Sequence, residues 1–291
     1  MTDRRYVVGL IGSGIIGSLS PQLHEREADQ LGLRYVYQLL DLRELGLGPA
    51  DTATLVTQAR RLGFAGLNIT HPCKQAVVGH LDELSGDAAA LAAVNTVVFT
   101  SGRSIGYNTD WSGFAAAFAR GLSDAPYGTV VVLGAGGAGS AVAYAMLRLG
   151  TQRLTVVDVE PGRAERLARV LNRVATGGQT VAADSPDLLA KRLDETDGLI
   201  NATAVGMTPD PRTPLAPDLL HPRLWVADVV YRPLETPLLA YARRIGCRTL
   251  DGGGMVAYQA AEAMRLITGV TPDADRMYEH MRELTRGDGR R

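Results

Sequence analysis

Thr129-Val130-Val131-Val132-Leu133-Gly134-Ala135-Gly136-Gly137-Ala138-Gly139-Ser140-Ala141 is a β-branched apolar run that breaks into four glycines interleaved with alanine. The first part reads as a buried strand. The glycines let the backbone turn sharply and approach a ligand, and the small residues after them let a helix pack tightly on the sheet. Backbone N–H groups at such a helix start face a pyrophosphate. Gly134, Ala135, Gly136, Gly137 and Ala138 are therefore predicted to bind a dinucleotide, with the helix itself expected over Ser140–Leu149. The next strand, Arg153–Val157, is closed by Asp158, whose carboxylate can accept hydrogen bonds from ribose hydroxyls and would repel a 2′-phosphate.

The same G-x-G-x-x-G spacing occurs earlier, in Gly12-Ser13-Gly14-Ile15-Ile16-Gly17, with Asp41 at a plausible distance for the acid. Here, however, the chain continues Ser18-Leu19-Ser20-Pro21, and proline is favoured in the first turn of a helix. The helix then starts too late for Gly17 to cradle a phosphate. The second copy is taken as the dinucleotide site, and the first leaves Ser18 and Ser20 as hydroxyls in a loop, as caps or as ligand contacts.

Outward from the fingerprint, strands and helices alternate in both directions. Strands are expected over Tyr6–Ile11, Tyr35–Leu40 and Gly66–Thr70, with helices over Pro21–Leu31 and Thr52–Leu62 between them. Val94–Phe99 and Ser104–Gly106 read as a hairpin around Thr100-Ser101-Gly102-Arg103, followed by a helix over Trp111–Gly121. Beyond the fingerprint come a helix over Arg163–Ala175, strands at Gly198–Asn201 and Leu224–Val230, and a helix over Pro237–Ile245. This is α/β structure. The loop-like stretch before Thr129 places the crossover between two domains at about Trp111–Gly128, and 291 residues are enough for two cores.

Composition narrows the function. Lys plus Arg number 30 against 31 Asp plus Glu, with no run of like charge, which disfavours a nucleic-acid partner. Two cysteines, Cys73 and Cys247, give no disulfide framework and fit a reducing, cytoplasmic setting. The N-terminal residues form no signal peptide, and no apolar window is long enough for a membrane span.

Among the 30 basic residues only Lys74 and Lys191 are lysines. Arginine suffices wherever a permanent cation is needed, whereas an amine can exchange a proton. Lys191 lies in a helical surface pattern and reads as solvated. Lys74 follows the strand end Asn68-Ile69-Thr70-His71-Pro72-Cys73, at the C-terminal mouth where open α/β sheets bind ligands, or else in an exposed loop. His71 reads as a hydrogen-bonding histidine, and no second ligand stands at metal spacing, so no metal is expected. Asp110 in Tyr107-Asn108-Thr109-Asp110-Trp111 ends a strand and opens a helix, as its N-cap or as a catalytic carboxylate. Asn95 in Ala93-Val94-Asn95-Thr96 meets a ligand or satisfies a turn, and Gln259, after Gly252-Gly253-Gly254, is expected to start the last amphipathic helix.

Taken in order, Ser18-Leu19-Ser20, Asn68 through Lys74, Ala93 through Thr96, Gly106 through Asp110, the Gly134–Gly139 loop, Asn201-Ala202-Thr203, Asp228-Val229-Val230-Tyr231 and the glycines before Gln259 carry a resemblance. Over nearly its whole length the chain resembles the shikimate dehydrogenase family, most closely its quinate/shikimate branch. The resemblance implies a substrate-binding domain of residues 1–112 and 248–291 around a Rossmann NAD-binding domain of residues 113–247, as a monomer or homodimer. It implies a carboxylated cyclitol as substrate, a ring hydroxyl of quinate or shikimate being oxidised to the 3-dehydro ketone. Lys74 and Asp110 would be the catalytic pair. Ser18 and Ser20 would hold the carboxylate, Thr70, Asn95 and Gln259 the ring hydroxyls, and Tyr231 would close the site. Arg163, Thr203, Val229, Gly252 and Met255 would join the glycine loop and Asp158 at the cofactor.

Two departures bear on specificity. NADP-using members carry an Asn-Arg-Thr-like stretch after the second Rossmann strand, where this chain has Asp158-Val159-Glu160, so NAD is expected over NADP, with Arg163 nearby as a partner for adenine. Cys73 stands where a larger side chain is usual and bears on pocket shape. The remaining alternatives are an amino-substituted shikimate or quinate as substrate, and a non-catalytic NAD- or metabolite-sensing regulator on the same fold.

Overall fold

The structure, a computed structural model, describes residues 5–288. Its strands are β1 (Arg5–Gly12), β2 (Arg34–Asp41), β3 (Gly66–Ile69), β4 (Glu83–Leu84), β5 (Thr96–Thr100), β6 (Arg103–Tyr107), β7 (Thr129–Leu133), β8 (Arg153–Val157), β9 (Thr180–Asp184), β10 (Gly198–Asn201), β11 (Trp225–Asp228) and β12 (Arg248–Leu250). Its helices are α1 (Ser20–Gln30), α2 (Thr52–Arg61), α3 (Cys73–Ala76), α4 (Gly86–Leu91), α5 (Thr109–Gly121), α6 (Gly137–Leu149), α7 (Pro161–Val174), α8 (Leu189–Leu193), α9 (Pro237–Arg244), α10 (Gly253–Thr268) and α11 (Ala274–Asp288).

The chain forms two compact units. One runs to Thr109 and takes in Ala257–Leu284; the other is built on Asp110–Val256. The first unit holds a mixed sheet of order β2-β1-β3-β5-β6-β4, in which β1 pairs in parallel with β2 and β3, while β5 runs antiparallel to β3 and β6. The β5–β6 hairpin closes on Ser101 and Gly102, both at positive φ, as a two-residue turn matched to strand twist requires. Its core is Ile11, Leu67, Ile69, Val94 and Val97 on one side and Val8, Leu10, Tyr37 and Ile267 on the other.

The second unit is an all-parallel sheet of order β12-β11-β10-β7-β8-β9. Strands β7, β10 and β11 are buried almost throughout, as parallel strands covered on both faces must be. Connections leave β7 toward β8 on one side and reach β10 on the other, so the strand order reverses between β7 and β10. At such a reversal the loops diverge and leave a crevice at the strand ends.

Several expectations shift. The return to the first unit comes at Ala257 and not at residue 248, because Arg248–Leu250 pairs with Trp225–Ala227 as the edge of the second sheet. Helix α6 begins at Gly137, three residues before Ser140, so the glycine run supplies its first turn. The strand leading to Asp110 ends at Tyr107. Gln259 lies well inside α10 and does not start it, since Gly253 and Gly254 already form the first turn, and α11 follows it as a further helix. The elements β4, α4, β9 and β12 escaped the sequence reading; β4 and β12, of two and three residues, are too short to show a period.

Candidate active site

In the first unit, a line of hydrogen-bonded polar groups runs from the half-buried Ser18 and Ser20 into the core. The Ser18 hydroxyl donates to Ser20 Oγ at 3.1 Å and accepts from the Ser20 N–H at 3.2 Å. Ser20 in turn hydrogen-bonds the hydroxyl of Tyr37, which donates to Asn68 Oδ1 at 2.8 Å. Burial pushes the Tyr37 hydroxyl up, opposed by Ser20, so it stays a neutral donor. Asn68 Nδ2 donates to Thr96 Oγ1 at 3.1 Å, and Thr96 Oγ1 to Asn95 Oδ1 at 3.2 Å. Asn95 is held on both sides by Thr109, accepting from its N–H at 2.7 Å and donating to its hydroxyl at 2.9 Å. Its amide also reaches Gln259 Oε1 at 3.4 Å. Groups fixed by two or more partners keep one orientation, as recognition of a polar ligand requires.

Lys74 and Ile69, the neighbour of Thr70, join this line through the backbone. Val94 N–H donates to the Lys74 carbonyl at 2.9 Å and Ile69 N–H to the Asn95 carbonyl at 2.8 Å, so β3, α3 and the Asn95 turn are tied together. The exposed-loop alternative for Lys74 fails: the residue is half-buried in α3. The first glycine fingerprint serves this arrangement. A Cβ at Gly12 would lie 2.3 Å from the Thr70 methyl, so only glycine lets β1 pass Thr70. Asp41 closes the fingerprint loop itself, accepting from the N–H groups of Gly14 at 2.8 Å and Ile15 at 2.6 Å. Burial raises the Asp41 carboxyl, but the N–H groups of Gly14, Arg43 and Ile15 outweigh it and hold it below the usual carboxylate range. The amides that a phosphate would need are thus taken by a carboxylate.

In the second unit the glycine loop gives its Ala135 N–H to a carboxylate, Asp158, but stays open at Gly136. Gly134 has φ +95°, and a Cβ there would meet the Ala202 carbonyl oxygen at 2.9 Å; one at Gly139 would lie 1.9 Å from the Gly134 oxygen. Both glycines are compulsory. At Gly136, by contrast, a Cβ would meet nothing within 4 Å, and α6 starts there with no side-chain cap. An open backbone cradle at an uncapped helix start fits a dinucleotide pyrophosphate. Asp158, directly after β8, accepts from Ala135 N–H at 2.7 Å and Glu160 N–H at 2.9 Å. Val159 beside it is 85% exposed and offers no cation. Arg163 in α7 pairs with Glu160 at 3.0 Å. Thr203 donates to Asn201 Oδ1 at 2.7 Å, and Gly252 lies so close to the Val229 carbonyl oxygen that a Cβ would stand 2.4 Å away. Met255 is buried in α10 and Tyr231 half-buried after β11.

Residues 10–97 match the family model for the shikimate dehydrogenase substrate binding domain, and residues 111–215 match that for the alanine dehydrogenase/PNT C-terminal domain. A shikimate dehydrogenase (NADP(+)) of Streptomyces avermitilis is 60% identical over 98% of this chain and 97% of its own length. The chain belongs to the shikimate dehydrogenase family. A quinate/shikimate dehydrogenase (NAD(+)) of Corynebacterium efficiens is 46% identical, covering 95% of this chain and 98% of the relative. Among solved structures, quinate dehydrogenase from Corynebacterium glutamicum in complex with NAD aligns with a TM-score of 0.90 at 43% identity, over 96% of this chain and 99% of that one.

As a member of the shikimate dehydrogenase family the chain is an oxidoreductase with a substrate-binding α/β unit and a Rossmann unit. Ser18, Ser20, Thr70, Lys74, Asn95 and Gln259 all lie in the first unit; Asp110 and Tyr231 belong to the second. Asp110 is not the N-cap of α5. The helix already includes Thr109, so Asp110 stands in its first turn, buried, where a carboxylate also suits the helix dipole. The cap position of α1 is Leu19, without a side-chain cap bond, and Ser18 stands one residue further out. Tyr37 escaped the sequence reading because a strand tyrosine beside apolar neighbours looks like core. Asn68, Asn201 and Asp228 were visible only as parts of motifs. Among the described residues no group of three or more His, Cys, Asp or Glu could hold a metal, and no helix is long and apolar enough to cross a membrane.

Proposed function

We propose that the chain is an NAD-preferring dehydrogenase that oxidises a ring hydroxyl of quinate, shikimate or both to the 3-dehydro ketone, reversibly. The observation that carries the substrate reading is the polar line from Ser18 to Gln259, half-buried at its ends and buried between them, whose oriented hydroxyls and amides suit a hydroxylated ring acid. Ser18 and Ser20 take the carboxylate, and Thr70, Asn95 and Gln259 take ring hydroxyls. A bound nicotinamide dinucleotide supplies the hydride acceptor. Lys74 Nζ would receive the proton of the ring hydroxyl being oxidised and return it when the ketone is reduced. Asp110 offsets the ammonium charge so formed. Gly134 through Ala138, Asp158, Arg163, Thr203, Val229, Gly252 and Met255 would hold the dinucleotide, and Tyr231 would close the substrate side.

NAD is preferred because Asp158 is a carboxylate and Val159 is no phosphate partner. The NADP name of the Streptomyces avermitilis relative favours the other reading, NADP, and makes the cofactor the sharpest point to test. Steady-state kcat/KM for quinate and shikimate, each with NAD and with NADP, decides both questions. The expected result is turnover of at least one acid with NAD at an efficiency well above that with NADP. Equal or higher efficiency with NADP would overturn the cofactor reading, and no turnover of either acid would overturn the substrate reading.

A further inference from the structure

We propose that Asp228, acting through Asn201, is a positioning residue for the dinucleotide site: a buried pair that sets the loops after β10 and β11 where the cofactor needs them. The inference rests on the second unit being the dinucleotide unit.

Asn201 and Asp228 stand opposite each other as the last residues of β10 and β11, with Asn201 0% and Asp228 2% exposed. Their bonds do not close the sheet; they reach past its end. Asn201 Oδ1 accepts from the Thr203 N–H at 3.1 Å and hydroxyl at 2.7 Å, and Asn201 Nδ2 donates to the Val205 carbonyl at 3.1 Å. The loop after β10 is thereby wound around one amide. The same Nδ2 donates to Asp228 Oδ1 at 3.0 Å, which also accepts the Val230 N–H at 3.0 Å. Asp228 Oδ2 accepts from the Thr236 hydroxyl at 2.7 Å, and that hydroxyl caps α9 by accepting from Leu239 N–H at 3.3 Å. Three donors satisfy the carboxylate, which is the condition for keeping one in a core at all.

The two loops touch the rest of the candidate site at backbone contact distance. A Cβ on Gly134 would collide with Ala202, and one on Gly252 with Val229. Glycine at both places means that a shift of either loop is felt by the phosphate loop and by the start of α10. A hydrophobic pair would hold β10 to β11 equally well. What it could not do is dictate the backbone path of Thr203 and Val230. The location agrees, since β10 flanks the strand-order reversal where open α/β sheets take their ligands.

The test is calorimetric titration of the full chain with NAD and NADP separately, and with shikimate, for the parent, Asp228→Ala, Asp228→Asn and Val226→Ala. Asp228→Ala frees the loop after β11 and removes the anchor of the Asn201 amide, and should weaken dinucleotide binding at least tenfold while leaving the shikimate Kd within about twofold. Asp228→Asn keeps an oxygen for Asn201 and Val230 and should recover to within about threefold of the parent. Val226→Ala thins the core of the same strand and should lower Tm without moving either Kd. Should Asp228→Ala give no folded protein, Asn201→Ser, whose hydroxyl cannot span to the carboxylate, carries the same expectation of a tenfold loss. Unchanged dinucleotide affinity in Asp228→Ala, an equal loss in Val226→Ala, or no recovery in Asp228→Asn overturns the proposal. A parent that binds neither dinucleotide overturns the underlying site reading instead.

Discussion

Asp158 Oδ2 accepts a 2.7 Å hydrogen bond from the Ala135 backbone N–H, so the acid that follows β8 also pins the glycine loop after β7. Asp41 does the same to Gly14 and Ile15 in the first unit. Two unrelated glycine loops thus use one device, a carboxylate closing on loop amides. They differ in what is left over: behind Asp41 the helix starts only at Ser20, whereas behind Asp158 the helix starts at Gly137 inside the loop.

Cofactor choice should follow from that carboxylate. Ribose hydroxyls can donate to Asp158, whereas a 2′-phosphate brings up to two negative charges beside it. Like charges at ~4 Å repel by about 4 kcal/mol at an effective dielectric near 20, enough for a hundredfold preference. Asp158→Ser with Val159→Arg removes the repulsion and adds a phosphate partner. Efficiencies with NAD and NADP on both proteins should show the preference reversing or collapsing; an unmoved ratio would mean that Asp158 does not face the ribose.

Proton transfer at Lys74 separates lysine from arginine. Lys74→Ala and Lys74→Arg should both lose turnover by at least about a thousandfold, because neither side chain can accept and return the proton. Dinucleotide affinity should stay at the parental value. Since Asp110 stands past the cap position of α5, Asp110→Asn should also fold normally and lose most of its kcat. Near-parental turnover in Lys74→Arg is the outcome that would remove the acid–base role.

The serine pair at the start of α1 should act on substrate affinity. Each hydroxyl-to-carboxylate bond contributes about 1.5–3 kcal/mol as a charge-assisted contact. Ser18→Ala with Ser20→Ala should therefore raise KM for a ring carboxylate at least tenfold. A Tm that falls while KM stays put would show that the two hydroxyls only support the turn, where Ser18 Oγ accepts the Ser20 N–H.

Acid stability should be governed in part by His24. It is 1% exposed and packs against the rings of Tyr35 and Tyr37, and burial lowers its pKa to about 3. The unfolded chain protonates this group near pH 6.5 and the folded chain only near 3, so the fold is fully favoured above 6.5. As pH drops from 6.5 toward 3 the fold loses up to about 1.4 kcal/mol per pH unit from this one group. His24→Phe keeps an aromatic ring there and cannot charge. Melting curves between pH 7 and 4 should show the parent losing Tm faster than the variant; parallel losses would clear His24 of the effect.

The fold and the residues proposed for the candidate site were legible in one dimension where they rest on local chemistry. The run from Thr129 to Leu133 must be a covered strand, Gly134 through Gly139 must turn, and Pro21 must stand in a first helical turn; each follows from sterics within a few residues. Lys74 stood out because arginine fills nearly every other basic position. What the chain order conceals is pairing at a distance. Nothing local distinguishes Tyr37 from its apolar neighbours until Asn68, 31 residues on, is brought to its hydroxyl. Nor does Asp228 differ from any strand-ending acid until Asn201 stands opposite it in the neighbouring strand. Arg248–Leu250 is too short to announce itself and becomes a strand only because the edge of β11 offers it hydrogen bonds. Local sterics decide each turn, and burial decides which distant polar groups must find one another, because an unpaired one inside the core costs more than the pairing.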